Sequence, residues 1–230
     1  MLTLALDTTT RASTGAAVVD GQVAGEWTAD ATQSLAAQLP HGLLGALAAG
    51  GWTLADVDVL AVAVGPGSFT GLRVGIATMQ GLAFALGRPL LGVSSLEALA
   101  RCAAAECGDE TATVSTWVDA WRGEAYTGLY RAGQELRPPT VGAPADALAG
   151  IDETVVVVGD GAVLHRDLIE RRLGRQAVFA PNMQPRLAPT IARAAAARAA
   201  AGERPLPDAI APLYVRRPDV ERARDARPVG

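Results

Sequence analysis

Residues 56–93 read DVDVLAVAVGPGSFTGLRVGIATMQGLAFALGRPLLGV. An apolar run (56–64) leads into a glycine-rich turn, a long apolar stretch of helical length (70–86) follows, and a short apolar run (89–93) closes the segment. Strand, turn, helix and strand in that order commit the chain to an α/β fold. The same layout also serves phosphate-binding loops, in which backbone N–H groups at a helix start cradle an anion. Whether Gly65–Gly71 is such a loop is therefore the first chemical question.

The flanking sequence fills in the fold. LTLALD (2–7) is an apolar run ending in an acid, and the runs 14–20 and 22–28 flank Asp20-Gly21, a hairpin turn signal. Residues 33–49 place Leu35, Leu39, Leu43 and Leu47 four apart on one helical face, ended by Gly50-Gly51. Ser94-Ser95 with Glu97 starts another helix that runs to about Cys107. The order β-β-β-α-β-α-β-α is that of a ribonuclease-H-like domain, the building block of the actin/sugar-kinase/Hsp70 superfamily. Beyond it, strands are expected at 111–120, 124–132 and 154–162, with helices at 144–150, 163–174 and 188–202. The expectation is two ribonuclease-H-like subdomains, the second reduced: 1–108, 109–215, and a flexible charged tail, 216–230. No internal repeat of fixed period is visible.

Composition narrows the function. Half the chain is apolar, enough for a sizeable core, and the net charge of −4 does not suggest a nucleic-acid binder. All 20 basic residues are arginine, which excludes a Walker lysine, a Schiff base and a lysine general base. Cys102 and Cys107 read as reduced thiols of a cytosolic protein. No signal peptide is visible, and the longest apolar stretch, Leu72–Leu86, is broken by Arg73 and Gln80 and falls short of a bilayer span. A cytoplasmic protein without membrane contact is expected.

The glycine turn fails as a nucleotide loop. A Walker loop ends in Gly-Lys-Ser/Thr, but here the chain runs Gly71-Leu72-Arg73. A G-x-G-x-x-G loop fails too, because after Gly65 and Gly67 the next glycine, Gly71, comes one residue late. Ser68 is not in a G-x-S-x-G elbow, and His41 and His165 are far apart in sequence. Asp7-Thr8-Thr9 reads either as a degenerate phosphate loop or as a plain strand end with a turn; both stay open. A working cleft also needs a second loop, and Gly159-Asp160-Gly161 is the sole candidate. Between Gly71 and Gly87 only Arg73, Thr78 and Gln80 are not apolar, so that helix must be covered on nearly every side. Its stripe of Gly71, Gly75, Thr78 and Gly81 would let another helix approach closely, unless the chain itself buries it.

Several stretches together resemble the bacterial TsaB (YeaZ) family: Leu4–Thr8, Leu39-Pro40, Gly65–Gly75, Gln80–Ala83 and Gly92–Leu96. In the second half Val118–Ala120, Gly123–Tyr126 and Pro212–Arg216 fit as well, so the likeness covers nearly the whole chain. The resemblance implies a non-catalytic partner subunit in making N6-threonylcarbamoyladenosine beside the anticodon of tRNAs that read codons beginning with A. The catalytic subunit would be TsaD, joined by TsaE, an ATPase; ATP is expected on those partners and no cofactor on this chain. It further implies a partner interface at Gly65, Pro66, Gly67, Ser68, Phe69, Thr70, Gly71, Arg73, Gly75, Met79 and Leu82, with the first helix beside it, and a homodimer when alone. One departure is Ser34, where the family often has a histidine. The competing reading is an actin-like-fold small-molecule kinase or glycoprotease-like peptidase, which needs two phosphate loops, a metal or a nucleophile centre. Direct tRNA contact stays open. Five arginines of the tail (Arg216, Arg217, Arg222, Arg224, Arg227) are largely offset by Asp219, Glu221 and Asp225, which favours a solvated tail.

Overall fold

A computed structural model describes residues 1–215; the expected tail, 216–230, lies outside the described residues. The chain runs β1 (Leu2–Asp7), β2 (Thr14–Val19), β3 (Gln22–Thr28), α1 (Leu35–Ala49), β4 (Val59–Gly65), α2 (Phe69–Leu86), β5 (Leu90–Ser94) and α3 (Ser95–Glu106). It continues with β6 (Thr113–Asp119), β7 (Ala125–Arg131), β8 (Gln134–Gly142), α4 (Pro144–Ala147), β9 (Val155–Val158), α5 (Asp160–Leu164), α6 (Arg166–Leu173), β10 (Ala177–Phe179) and α7 (Ala188–Ala200).

The first sheet has strand order β3-β2-β1-β4-β5, with β1 antiparallel to β2 and parallel to β4. The second, β10-β9-β6-β7-β8, repeats that arrangement: β6 is antiparallel to β7 and parallel to β9. The fold is thus two ribonuclease-H-like units, the second with shorter helices: α4 has four residues where α1 has 15. Helices α1 and α2 cover the outer face of the first sheet through Leu39, Leu43, Leu47, Leu72, Ile76 and Met79. Between the sheets, α3 lies chiefly on β6 and α7 chiefly on β1 and β4, and both feed one shared core.

Several boundaries differ from expectation for local reasons. Thr53 and Asp56 form a capping box around a 3-10 turn at Leu54–Asp56, so β4 starts at Val59 rather than 56. The helix expected over 163–174 begins earlier, at Asp160, and breaks at His165 into α5 and α6. β8 has no counterpart among the expected strands; it contains Pro138 and Pro139 and is an edge strand, the position that tolerates missing N–H donors. Cys102 is buried, Cys107 is exposed, and both are free thiols.

Helix α2 is longer than its apolar stretch suggested. Its 18 residues would suffice, by length and composition, to cross a membrane. Here they are a layer of the fold. One side lies on the sheet, and the C-terminal segment straps the flank: Gln80 Nε2 donates to the Pro207 and Ile210 carbonyls at 2.9 Å each. The Leu213 N–H, at 2.7 Å, donates to the Val64 carbonyl. Part of the cover expected from a partner is therefore this chain's own strap.

Candidate functional site

The glycines of the β4–α2 turn answer to the β1–β2 loop. A side chain on Gly71 would collide with the Thr8 carbonyl, and one on Gly75 with the Thr8 hydroxyl. On Gly67 it would strike the Thr9 carbonyl. Thr8 Oγ1 donates to the Gly71 carbonyl at 2.7 Å, and the Ser68 N–H to the Thr9 carbonyl at 2.9 Å. Ser68 caps α2, its hydroxyl accepting from the Gly71 N–H at 3.2 Å. Of the glycine stripe, Gly71 and Gly75 mark a close approach, by Thr8 of the same chain rather than by a partner helix, with Thr9 against Gly67 before the helix; Gly81 is exposed and faces open space.

Asp7 ends β1 and is fully buried. Its Oδ1 accepts from the Thr9 N–H (2.8 Å) and Thr9 hydroxyl (2.6 Å), its Oδ2 from the Thr10 hydroxyl (2.7 Å). Burial pushes the Asp7 carboxyl above its ordinary pKa, and the hydrogen bonds from Thr9 and Thr10 counter this. The polar groups of Asp7, Thr8 and Thr9 that would meet a phosphate are turned onto the protein itself.

Between the two units opens a cleft of about 450 Å³, lined from one side by Thr8–Arg11 and Ser68–Gly71 and from the other by Val118, Asp119, Trp121 and Asp160. Arg11 spans it, with its Nη2 3.4 Å from Asp119 Oδ2 and its Nε 3.6 Å from Asp160 Oδ2. Arg11 also lies 5.7 Å from the Trp121 ring centre. Asp119 ends β6 as Asp7 ends β1; its N–H donates to Asp160 Oδ1 at 3.0 Å. Gly159, at φ 113°, brings that turn against the Trp117 carbonyl, so this expected second loop is packed onto β6. Among the described residues no group of three or more His, Cys, Asp and Glu is placed to hold a metal.

The expected interface residues divide in two. Gly65, Pro66, Gly71, Gly75 and Met79 are buried within the chain, and Gly67 and Leu82 are half-buried. Ser68, Phe69, Thr70 and Arg73 are exposed. The buried set is corrected: its sequence pattern records packing under the helix, not a surface. The outward side of α2 adds Ala77, Gly81 and Phe84, and the outward side of α1 adds Pro40, His41, Leu44 and Ala48, which the leucine periodicity pointed away from. Ser34 is the N-cap position of α1 and makes no side-chain capping bond. Arg11 and Trp121 carried no local sequence signal, since their partners lie in the other unit.

The profile of the family described as "TsaD: tRNA N6-adenosine threonylcarbamoyltransferase" matches residues 29–179. An uncharacterized protein of Mycobacterium tuberculosis strain H37Rv is 35% identical over 221 residues, covering 95% of this chain and 93% of that protein. The tRNA threonylcarbamoyladenosine biosynthesis protein TsaB of Bacillus subtilis is 37% identical over 126 residues, 52% of this chain and 53% of its own length. The solved structure of YeaZ from Pseudomonas aeruginosa superposes with a TM-score of 0.79 at 30% identity, covering 93% of this chain and 99% of that one. With the fold, the GPGSFTGLRVG stretch and these likenesses in agreement, the chain belongs to the TsaB (YeaZ) family.

Proposed function

We propose that this chain is a non-catalytic partner subunit in the formation of N6-threonylcarbamoyladenosine in tRNA, and that it docks a TsaD-type catalytic subunit through the outward side of α1 and α2. The observation that carries this reading is that outer layer. Phe84 is 86% exposed, and Leu44, Phe69 and Ala77 are exposed beside small residues such as Gly81 and Ala48. Large apolar side chains left in solvent on adjacent helices are what a covered interface looks like before it is covered. The cleft supports the same reading, because Asp7 and Thr8 spend their hydrogen bonds inside the chain. In this account ATP and the transferred group are handled by the partners, a TsaE-type ATPase joins the pair, the same face pairs two copies when the chain is alone, and the assembly is cytoplasmic.

Reconstitution tests it. A TsaD-type subunit, a TsaE-type ATPase, threonylcarbamoyl-adenylate and a tRNA reading codons that begin with A should give modified tRNA only when this chain is added. The chain alone should neither turn over ATP-magnesium nor cleave casein or a glycoprotein. Turnover by the chain alone, or full modification without it, contradicts the reading.

A further inference from the structure

The β1–β2 loop touches two regions at once. Thr8 and Thr9 line the cleft, and they also press on the buried side of α2. Thr8 is 1% exposed, and its hydroxyl donates to the Gly71 carbonyl. Gly71 and Gly75 sit one turn apart, so this side of the helix has no side chain of its own to interlock with a neighbour. A bare helical surface can slide or rotate against what it packs on. The Thr8 hydroxyl supplies a directional contact within the first turn of α2, beyond the Ser68 N–H bond to the Thr9 carbonyl at its cap, since a hydrogen bond has a preferred line that apolar packing lacks. Phe69, Thr70 and Arg73 stand on the same first turns of α2, facing out.

We propose that Thr8 is a positioning residue for partner docking: its hydroxyl bond to Gly71 fixes the rotation of the first turns of α2, and with it the outward placement of Phe69, Thr70 and Arg73. This rests on the docking reading above. It assigns the loop that would otherwise be read as a phosphate cradle a mechanical task. Thr8→Val keeps the branched shape beside Gly75 and removes the bond while setting a methyl group against the Gly71 carbonyl; Thr8→Ala removes the bond without that crowding. Thr8→Ser keeps the bond.

The test uses the full chain with two readouts. The first is titration against the TsaD-type subunit; the second is amide hydrogen exchange over Gly71–Gly75 in the chain alone. Thr8→Val should exchange faster there and bind the partner about tenfold more weakly, while its Tm stays within about 4 °C of wild type. Thr8→Ser should behave as wild type in both. A merely structural role would lower Tm and leave partner affinity unchanged. If Thr8→Val does not fold, Thr8→Ala takes its place in the same measurements. Partner affinity within twofold of wild type, or unchanged exchange, overturns the proposal. Wild-type chain that fails to bind the subunit overturns the docking reading itself, an outcome distinct from wild type binding and Thr8→Val binding equally well.

Discussion

Arg73 donates from its Nε to the Tyr214 hydroxyl, 3.0 Å away and 141 residues later in the chain. The guanidinium also lies 4.0 Å from the Phe69 ring centre, and Phe69 and Tyr214 stand 5.9 Å apart. The GLR and PLY stretches are thus two halves of one contact at the start of α2. This contact is exposed, so Tyr214→Phe should shift Tm by less than about 4 °C while speeding amide exchange at 211–214. Gln80→Ala removes two half-buried bonds to the strap and should cost about 1–3 kcal/mol, read by denaturant unfolding, with exchange accelerated around Ile210.

The close approach of Thr8 to α2 predicts a non-additive pair. Gly75→Ala places a methyl group where the Thr8 hydroxyl stands and should destabilise by about 1–3 kcal/mol through overpacking. In a Thr8→Ala background the same substitution should cost clearly less, because the colliding hydroxyl is gone. Equal costs in the two backgrounds would show that Thr8 is not what occupies the notch.

Much of this fold was legible because its signals are local. The bounds of β1 follow from its apolar run, β3 follows from the Asp20-Gly21 turn signal before it, and α2 begins within a residue of the expected start. The duplication of the sheet order was expected as two ribonuclease-H-like subdomains, but from element order and not from any sequence repeat. It is a repeat of topology between units whose helices differ in length, α2 with 18 residues against α5 and α6 with five and eight, so no fixed sequence period survives. For the site, the glycines gave the right physics and the wrong neighbour. A sequence shows that backbone must come close at Gly71 and Gly75, but the occupant, Thr8, lies 63 residues before Gly71. The Arg11–Asp119 tie, across 108 residues, is hidden for the same reason.

Asp7 predicts a pH signature. Its carboxyl has a folded-state pKa above the ordinary value because burial disfavours the charge. The folded state then binds the proton more tightly than the unfolded state, so this group weakens the fold at neutral pH and relaxes as pH falls through the raised value. Asp30, Asp56 and Asp109 are held below the ordinary value by hydrogen bonds from neighbouring threonines, and their contribution is lost as pH falls. The comparison must therefore be with Asp7→Asn, which retains an acceptor for Thr9. The stability of wild type relative to Asp7→Asn should rise as pH is lowered from neutral toward 4. A constant difference between the two melting curves would contradict the assignment.

Arg11 predicts a salt-sensitive tie across the cleft. Its pairs with Asp119 and Asp160 are long and the Arg11 side chain is largely exposed, though both carboxylates are half-buried, so Arg11→Ala should cost less than about 1 kcal/mol. The difference from wild type should shrink in 1 M salt, where screening extends to about 3 Å. A loss that is large and independent of salt would mean that Arg11 acts by packing instead.

The outward side of α1 and α2 is the central claim, and one titration tests it most directly. Ala77 is exposed in the middle of α2, so Ala77→Arg should leave Tm within about 2 °C of wild type. Against the TsaD-type subunit, wild type should bind, and Ala77→Arg should bind at least about a hundredfold more weakly, because a charge is forced into a covered apolar contact. Equal affinity of the two proteins would contradict docking through this face.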